Sequence, residues 1–299
     1  LLTLIRARKI QTFVVFNKSD ITRPDDEALK QAAALASAPV FSVSSVTRDG
    51  VEAFKLALAQ AVPEESDKFQ IVGDLLSPAD FVVLVTPIDK AAPKGRLILP
   101  QQQTIRDILE ADAIAIVTKE FELRETLAQL GRKPKLVITD SQVFAKVSAD
   151  TPRDIPLTSF SILFARYKGD LAELVRGAQA IDTLKDGDRI LMAEGCTHHR
   201  QSDDIGTVKI PRWLRQHTGK QLVFEHAAGM KYPDDLSPYA LIVHCGGCML
   251  NRREMRYRIQ QAKEAGIPIV NYGVLIAAVQ GILKRCLEPF PLAAMEIQD

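Results

Sequence analysis

Residues 241–250 read LIVHCGGCML, an apolar run that ends in a histidine and two cysteines, Cys245 and Cys248. Such a run predicts a buried strand, and the two glycines between the cysteines allow the backbone to fold round a bulky anionic group. A second apolar run, RILMAEG at 189–195, ends at Cys196. If both strands belong to one parallel sheet, their carboxyl ends lie on one edge, where ligands of open α/β sheets bind. We therefore expect Cys196 to meet Cys245 in space.

The spacing of the cysteines leaves three kinds of site open. Cys-x-His at 196–198 followed by His-Cys-x-x-Cys at 244–248 offers three thiolates, which select soft metals and iron–sulfur clusters. A structural zinc site with three cysteines and one histidine is an alternative, although Cys-x-His is an unusual zinc knuckle. A reversible thiol pair formed by Cys245 and Cys248 is the third interpretation.

The whole chain of 299 residues alternates strand-like and helix-like segments, which predicts an α/β fold. Polar stretches with proline at 63–68 and 149–157 are typical of linkers. We therefore predict three domains, 1–66, 70–148 and 156–299, the last with the parallel sheet that carries the cysteines. The closing segment VLIAAVQGILKRCL predicts one amphipathic helix in which Cys286 is a small core residue.

The composition argues against several classes of function. The formal net charge is +1, so no electric field favours nucleic acid or an anionic membrane. The sequence has neither an apolar run long enough to span a membrane nor a signal-peptide pattern. Four cysteines are too few for a disulfide scaffold at this length, so we expect a cytoplasmic protein that uses them for metal or redox chemistry. The first residue is not Met, and we expect the natural chain to begin earlier.

A second motif, NKSD, follows an apolar strand near the start of the chain. In Ras-like GTPases an N-K-x-D motif reads guanine, because the Asp carboxylate accepts hydrogen bonds that adenine cannot donate. The next strand ends in SVSS, where such GTPases contact the base again. The predicted guanine-reading residues are Asn17, Lys18, Asp20, Ser44 and Ser45. The sequence contains neither the phosphate loop nor the switch regions, so we expect residues 1–66 to be the C-terminal part of a GTPase domain that is inactive as it stands.

Taken together, these segments resemble the HydF family, the GTPase scaffolds that mature FeFe hydrogenase. The shared stretches are NKSD, APKGRLILPQ, KPKLVITDSQVF, EGCTHH, DIGTVKIPRWLRQHTG, IVHCGGCMLNR and NYG. The resemblance implies a truncated Ras-like GTPase domain, a small α/β dimerisation domain and an α/β cluster-binding domain. It also implies a 4Fe-4S cluster held by Cys196, Cys245 and Cys248, with one iron open to ligand exchange.

The resemblance further implies a scaffold that receives a diiron precursor built with two radical-SAM maturases and delivers it to the apo FeFe hydrogenase. It implies a homodimer, and GTP with Mg²⁺ in the full-length protein. The alternative function is a GTPase with a structural zinc site.

The fourth ligand of the cluster stays open at the level of sequence. The candidates, as ligands or as supporting residues, are His198, His244, Asp203 and Asp204. An acid is favoured because a carboxylate leaves iron more readily than imidazole does, although a loop pair or a helix cap explains the acids equally well. Arg200 and Lys209 are candidates to attract the anionic, cyanide- and carbonyl-bearing precursor.

Overall fold

The structure, a computed structural model, describes residues 11–61, 70–88, 97–195, 204–229 and 231–297, together with Leu2 and Ile5. The chain forms two compact units, 1–68 and 69–299, and each is described by itself. All strand pairings in the described residues are parallel. The predicted α/β class with parallel sheets is therefore confirmed.

Between residues 11 and 61, the first unit has a two-stranded sheet and two helices in the order β1 (Val14–Phe16), α1 (Asp26–Ala36), β2 (Val40–Ser42) and α2 (Val51–Ala61). Asp25 begins α1 by accepting the Ala28 N–H at 2.7 Å. The rings of Phe13, Phe41 and Phe54 pack together, with centroids 5.4, 6.0 and 6.2 Å apart. This aromatic cluster joins the small sheet to α2.

The second unit contains two four-stranded parallel sheets. The first sheet and its helices comprise β3 (Phe81–Val85), α3 (Leu99–Glu110), β4 (Ile114–Thr118), α4 (Leu123–Gln129), β5 (Leu136–Thr139), α5 (Phe144–Asp150) and β6 (Leu157–Ser159). The second part comprises α6 (Phe160–Lys168), α7 (Leu171–Ala178), β7 (Arg189–Glu194), α8 (Ile210–Thr218), β8 (Val223–Ala228), β9 (Leu241–His244), α9 (Arg252–Glu264), β10 (Ile269–Asn271), α10 (Tyr272–Val279), α11 (Leu283–Cys286) and α12 (Pro291–Ala294). Short 3₁₀ turns lie at Gly73–Leu75, Ser141–Val143 and Gln179–Thr183, and one π-helical turn, Ile205–Lys209, leads into α8.

The two sheets have the same strand order. The first runs β4-β3-β5-β6, and the second runs β8-β7-β9-β10. In each sheet the chain starts at an inner strand (β3 or β7), continues to the edge strand on one side (β4 or β8), and then returns to the other side of the first strand (β5 or β9). The connections that leave the first strand and enter the third therefore run in opposite directions. A crevice opens at the carboxyl ends of these two strands, and ligands of doubly wound sheets bind in it. The second unit therefore has two such switch points, one at β3 and β5 and one at β7 and β9.

One hydrophobic core runs through both sheets of the second unit. Along β3, Val82 and Leu84 face this shared core, whereas Val83 and Val85 face a smaller one, so both faces of the sheet are buried. The sequence predicted a domain boundary at 149–157, but β6 begins at the last residue of that segment and completes the first sheet. The helix α6 follows β6 at once and packs in the shared core.

Gly177 allows α7 to approach β10 closely. A Cβ at this position would lie 1.9 Å from the Ile269 carbonyl oxygen, so a side chain requires the backbone to move. We expect Gly177→Ala to lower the free energy of unfolding by about 1–3 kcal/mol, measured by urea denaturation. Alanine is otherwise the better helix former by about 1 kcal/mol, so a more stable variant would contradict the close packing.

The closing segment differs from its prediction in one respect. It forms two helices, α10 and α11, and not one, because Gly281 adopts a left-handed conformation (φ 68°) that ends the first. Cys286 is fully buried in the core, as predicted. None of the helices in the described ranges is long and apolar enough to cross a membrane.

Candidate functional site

A cavity of about 240 Å³ lies in the second unit, where the carboxyl ends of both sheets meet. Residues that follow β5, β9 and β10 line it, together with the last residue of β7; these are Asp140, Ser141, Gln142, Glu194, Cys245, Gly246, Gly247, Cys248 and Tyr272. Its apolar walls come from Ile98, Phe160, Phe164 and Ile205. The helices α3, α6 and α10 begin at this cavity, so the positive ends of their dipoles border it.

Cys245 lies at the end of β9, and its sulfur accepts two backbone hydrogen bonds. The N–H of Gly195 donates to Sγ at 3.1 Å and the N–H of Gly247 at 3.4 Å. Gly247 has a positive φ of 62°, which lets the loop curl back towards the sulfur. Donors of this kind stabilise negative charge on sulfur, and hydrogen bonds to sulfur tune iron–sulfur clusters.

The strands that end at the cysteines are neighbours, as the sequence predicted. β7 pairs in parallel with β9, with Ala193 opposite His244, and the Cys245 N–H donates to the Ala193 carbonyl at 2.9 Å. Cys196 follows Gly195 in the chain but lies outside the described residues, as do the predicted His198, Asp203 and Arg200. Within the described ranges, no group of three or more His, Cys, Asp or Glu residues is placed to hold a metal ion.

Lys168, the last residue of α6, anchors the loop of residues 245–250, which is called the cysteine loop below. Its Nζ donates to the carbonyl oxygens of Gly247, Cys248 and Leu250 at 2.9, 2.9 and 2.8 Å. The three ammonium hydrogens therefore have three acceptors, and the side chain is buried. Burial lowers the pKa of Lys168, while the nearby thiols of Cys248 and Cys245 act in the opposite direction.

His244 is fully buried behind the loop, and both of its ring nitrogens have partners. Nδ1 lies 2.8 Å from the Cys245 carbonyl oxygen, and Nε2 lies 3.1 Å from a guanidinium nitrogen of Arg258. Burial is the main reason that the pKa of His244 falls to about 4; the bond to Cys245 opposes this, and the Arg258 charge adds to it. The neutral ring donates to Cys245 and accepts from Arg258. Of its two expected roles, this geometry favours the supporting one.

Asp204 caps the helical turn that leads into α8. Its Oδ1 accepts from the N–H groups of Gly206 and Thr207 at 3.0 and 2.8 Å and from the Thr207 hydroxyl at 2.9 Å. The structure thus gives Asp204 the helix-cap role that the sequence analysis held as the alternative to ligation. Lys209, expected to attract an anionic precursor, donates to Gln142 Oε1 at 3.2 Å and so lies at the rim of the cavity.

A buried carboxylate and a tyrosine complete the polar part of the cavity wall. Glu194 is only 2% exposed, and the Tyr272 hydroxyl donates to its Oε1 at 3.4 Å. Burial raises the pKa of Tyr272 well above its usual value, so the phenol stays protonated. Gly206 packs against both groups, since a Cβ there would lie 2.2 Å from the Tyr272 oxygen.

The helix α6, which supplies Ser161, Phe164 and Lys168 to this site, was not predicted from the sequence. The prolines at 152 and 156 made the preceding stretch appear to be a linker. The available signal was a helix start at Ser159, whose hydroxyl accepts the Ile162 N–H, and a stop at Gly169.

The predicted guanine-reading residues come together in the first unit. Asn17 Oδ1 accepts from the Ser45 hydroxyl at 3.1 Å, and Asp20 Oδ1 accepts from the Ser44 hydroxyl at 2.5 Å. Lys18 lies between them in a left-handed conformation (φ 64°). The NKSD and SVSS segments therefore form one loop cluster at the carboxyl ends of β1 and β2.

Two family models match the second unit. Residues 71–169 match the hydrogen maturase F dimerization domain, and residues 172–289 match the hydrogen maturase F tetramerization domain. The matches follow one another almost without a gap and together cover more than half of the chain. The chain belongs to the HydF family. No curated protein matches the chain.

Membership in the HydF family confirms the resemblance and gives the chain a role in hydrogenase maturation. It also shows that the chain carries two domains of self-association. The predicted dimerisation segment, 70–148, lies almost entirely within the model of that description. The segment that the sequence analysis assigned to cluster binding, 156–299, contains the one described as a tetramerization domain.

Proposed function

We propose that this chain holds a 4Fe-4S cluster through Cys196, Cys245 and Cys248 and serves as the scaffold that passes a diiron precursor to the apo FeFe hydrogenase. The observation that carries the proposal is the bond from the Gly195 N–H to Cys245 Sγ at 3.1 Å. Cys196 is the next residue after Gly195, and successive Cα atoms lie 3.8 Å apart. The proposal uses this short chain connection to bring the Cys196 thiol to the same cluster as Cys245.

The described residues fit such a group. Cys245 and Cys248 both line the cavity as free thiols, and backbone N–H groups are already directed at one sulfur. Three cysteines leave one iron without a thiolate, and the chemistry that the cluster supplies is an exchangeable ligand position at that iron. The protein's own part is to present the thiols, exclude bulk water with the apolar walls and keep His244 neutral behind the loop.

The fourth ligand comes, in this proposal, from the segment after Cys196. Asp204 caps a helical turn through Oδ1 and His244 has partners on both ring nitrogens, so we favour Asp203 and His198 among the four candidates. An acid is again the better choice, because a carboxylate leaves iron more readily than imidazole does.

The remaining assignments follow family membership. We propose a cytoplasmic homodimer that meets the two radical-SAM maturases and the apo hydrogenase. Ile114 and Val117 of the edge strand β4 are about half exposed, which supports contact with a second copy through the domain described as a dimerization domain. Asn17, Lys18, Asp20, Ser44 and Ser45 would read guanine in a longer protein that also binds the GTP phosphates and Mg²⁺.

The test is metal analysis and EPR of anaerobically reconstituted protein. The proposal predicts about four irons per chain and, after dithionite reduction, a 4Fe-4S signal that shifts when cyanide or imidazole is added. A signal that does not respond to added ligand would show that no iron is exchangeable. One zinc and no iron would favour the alternative, a structural zinc site in a GTPase, and a metal-free reversible disulfide between Cys245 and Cys248 would favour a redox pair.

A further inference from the structure

The cavity beside the cysteines contains one hydroxyl whose hydrogen has no acceptor in the described part of the chain. Ser161, the second residue of α6, lines the cavity. Its Oγ accepts from the Gly273 N–H at 3.1 Å and from the Asn271 side-chain amide at 3.2 Å. A serine oxygen has two acceptor positions and one hydrogen. Both acceptor positions are occupied, so the hydrogen is left for a partner in the cavity.

The orientation of this hydroxyl is fixed by buried groups. Asn271 is 1% exposed, and its Oδ1 accepts the Val274 N–H at 2.9 Å, which assigns the amide nitrogen to the Ser161 side. That nitrogen also donates to the Ser161 carbonyl at 2.9 Å. Gly273 is required for the close approach, since a Cβ there would lie 2.5 Å from Ser161 Cβ. The segment Asn271–Gly273 thus holds Ser161 in one rotamer.

The hydroxyl lies directly against the cysteine loop. The space where Gly246 would carry a Cβ is 3.7 Å from Ser161 Oγ, and Gly246 sits between Cys245 and Gly247. Ile98, Phe160, Phe164 and Ile205 supply apolar wall to the same cavity. A ligand next to Ser161 therefore meets a hydrogen-bond donor beside the thiols and these apolar side chains, while Asp140, Gln142 and Glu194 form the polar part of the same cavity wall.

Neither Glu194 nor Asp140, the two carboxylates of the cavity wall, accepts the hydrogen of the Ser161 hydroxyl. Glu194 accepts from the Tyr272 hydroxyl, and Asp140 accepts the Gln142 N–H at 2.9 Å. Neither is bonded to Ser161, and Lys209 lies at the rim through Gln142. A compact ligand with apolar sides and a hydrogen-bond-accepting end, neutral or anionic, fits this distribution of groups.

We propose that Ser161 is a specificity-determining donor, which binds the accepting end of the ligand that occupies the exchangeable position beside Cys245 and Cys248. Asn271 and Gly273 are its positioning residues. This inference rests on the proposed function and names the group that selects the cargo within that site. An accepting ligand is then retained over an isosteric ligand that cannot accept a hydrogen bond.

The test uses the reconstituted holoprotein with cyanide as the probe. Cyanide is titrated against the EPR spectrum of the reduced wild-type protein and of Ser161→Ala, and the infrared C≡N stretch of bound cyanide is recorded for both. We expect the Kd for cyanide to rise about tenfold in Ser161→Ala, as for a lost hydrogen bond to a charged group, and the stretch to shift. Iron content and the spectrum without cyanide should stay unchanged.

Ser141→Ala is the matched control. Ser141 lies on the neighbouring wall, but its hydroxyl donates to Ser159 Oγ at 3.3 Å, so its loss should not alter the cyanide Kd. Equal Kd values for wild type and Ser161→Ala would overturn the inference and leave the scaffold function standing. Loss of iron from Ser161→Ala would also overturn it, since the hydroxyl would then support the cluster itself. A wild-type protein without iron would overturn the proposed function and the inference together.

Discussion

Replacing Cys245 by serine should leave a folded protein that no longer holds a stable 4Fe-4S cluster. The serine oxygen can still accept the N–H groups of Gly195 and Gly247, so the loop keeps its hydrogen bonds. A serine hydroxyl is not ionised near pH 7, however, and the cluster requires thiolate ligands. Loss of a direct ligand should exceed the tenfold to hundredfold loss of affinity that is typical of outer residues of metal sites. The measurement is iron content and the EPR signal after anaerobic reconstitution.

Cys196→Ser should have the same effect, because the proposal gives both residues the same role. Cys286→Ala supplies the matched control, since Cys286 is fully buried in the core and burial raises the pKa of its thiol to about 12. That variant should keep its iron, with some loss of stability from the cavity it leaves. A Cys196→Ser protein with a full cluster would show that the assignment of Cys196 is wrong. Equal loss of iron in all three variants would point to general destabilisation.

The sequence predicted the parts of the fold that depend on local pattern. The apolar run at 241–244 marks β9, and Pro211 with Gly219 bounds α8, where Gly219 takes the left-handed conformation that ends a helix. The pairing of β7 with β9, the two strands that precede the cysteines, could also be predicted, because parallel strands with helical connections place their carboxyl ends on one edge.

The cavity itself could not be predicted, since it depends on packing between distant segments. Lys168 and Gly247 are 79 residues apart, and no periodic pattern links a lysine at a helix end to the carbonyls of a remote loop. The contact between Ser161 and Asn271 could not be predicted either, because these residues are 110 positions apart. Asp204 shows a different limit: an aspartate before a helix is typical both of a cap and of a metal ligand, and the cap bonds to Oδ1 could be seen only in the structure.

Lys168→Met should release the cysteine loop and shorten the lifetime of the cluster. Methionine matches the length of the buried stem but leaves the carbonyls of Gly247, Cys248 and Leu250 without their donor. Each buried acceptor that loses its partner costs about 1–3 kcal/mol, so the loop should move to find water. We expect cluster loss to a chelator to be roughly tenfold to a hundredfold faster, as for other supporting residues of metal sites. Because a positive charge near the thiolates is removed, the reduction potential of the remaining cluster should fall.

Two further variants separate the charge of Lys168 from its packing. Lys168→Arg keeps the charge, but a planar guanidinium cannot place three donors on three carbonyls as an ammonium does. It should therefore keep the potential near that of the wild type while the cluster is still lost faster. Lys185→Met removes a charge from the exposed surface and should change neither property. If Lys168→Met retained its cluster as long as the wild type and at the same potential, the three bonds from Lys168 would be a packing feature of the fold. The cysteine loop would then keep its shape without Lys168, through the left-handed conformation of Gly247 and the hydrogen bonds from the Gly195 and Gly247 N–H groups to Cys245 Sγ.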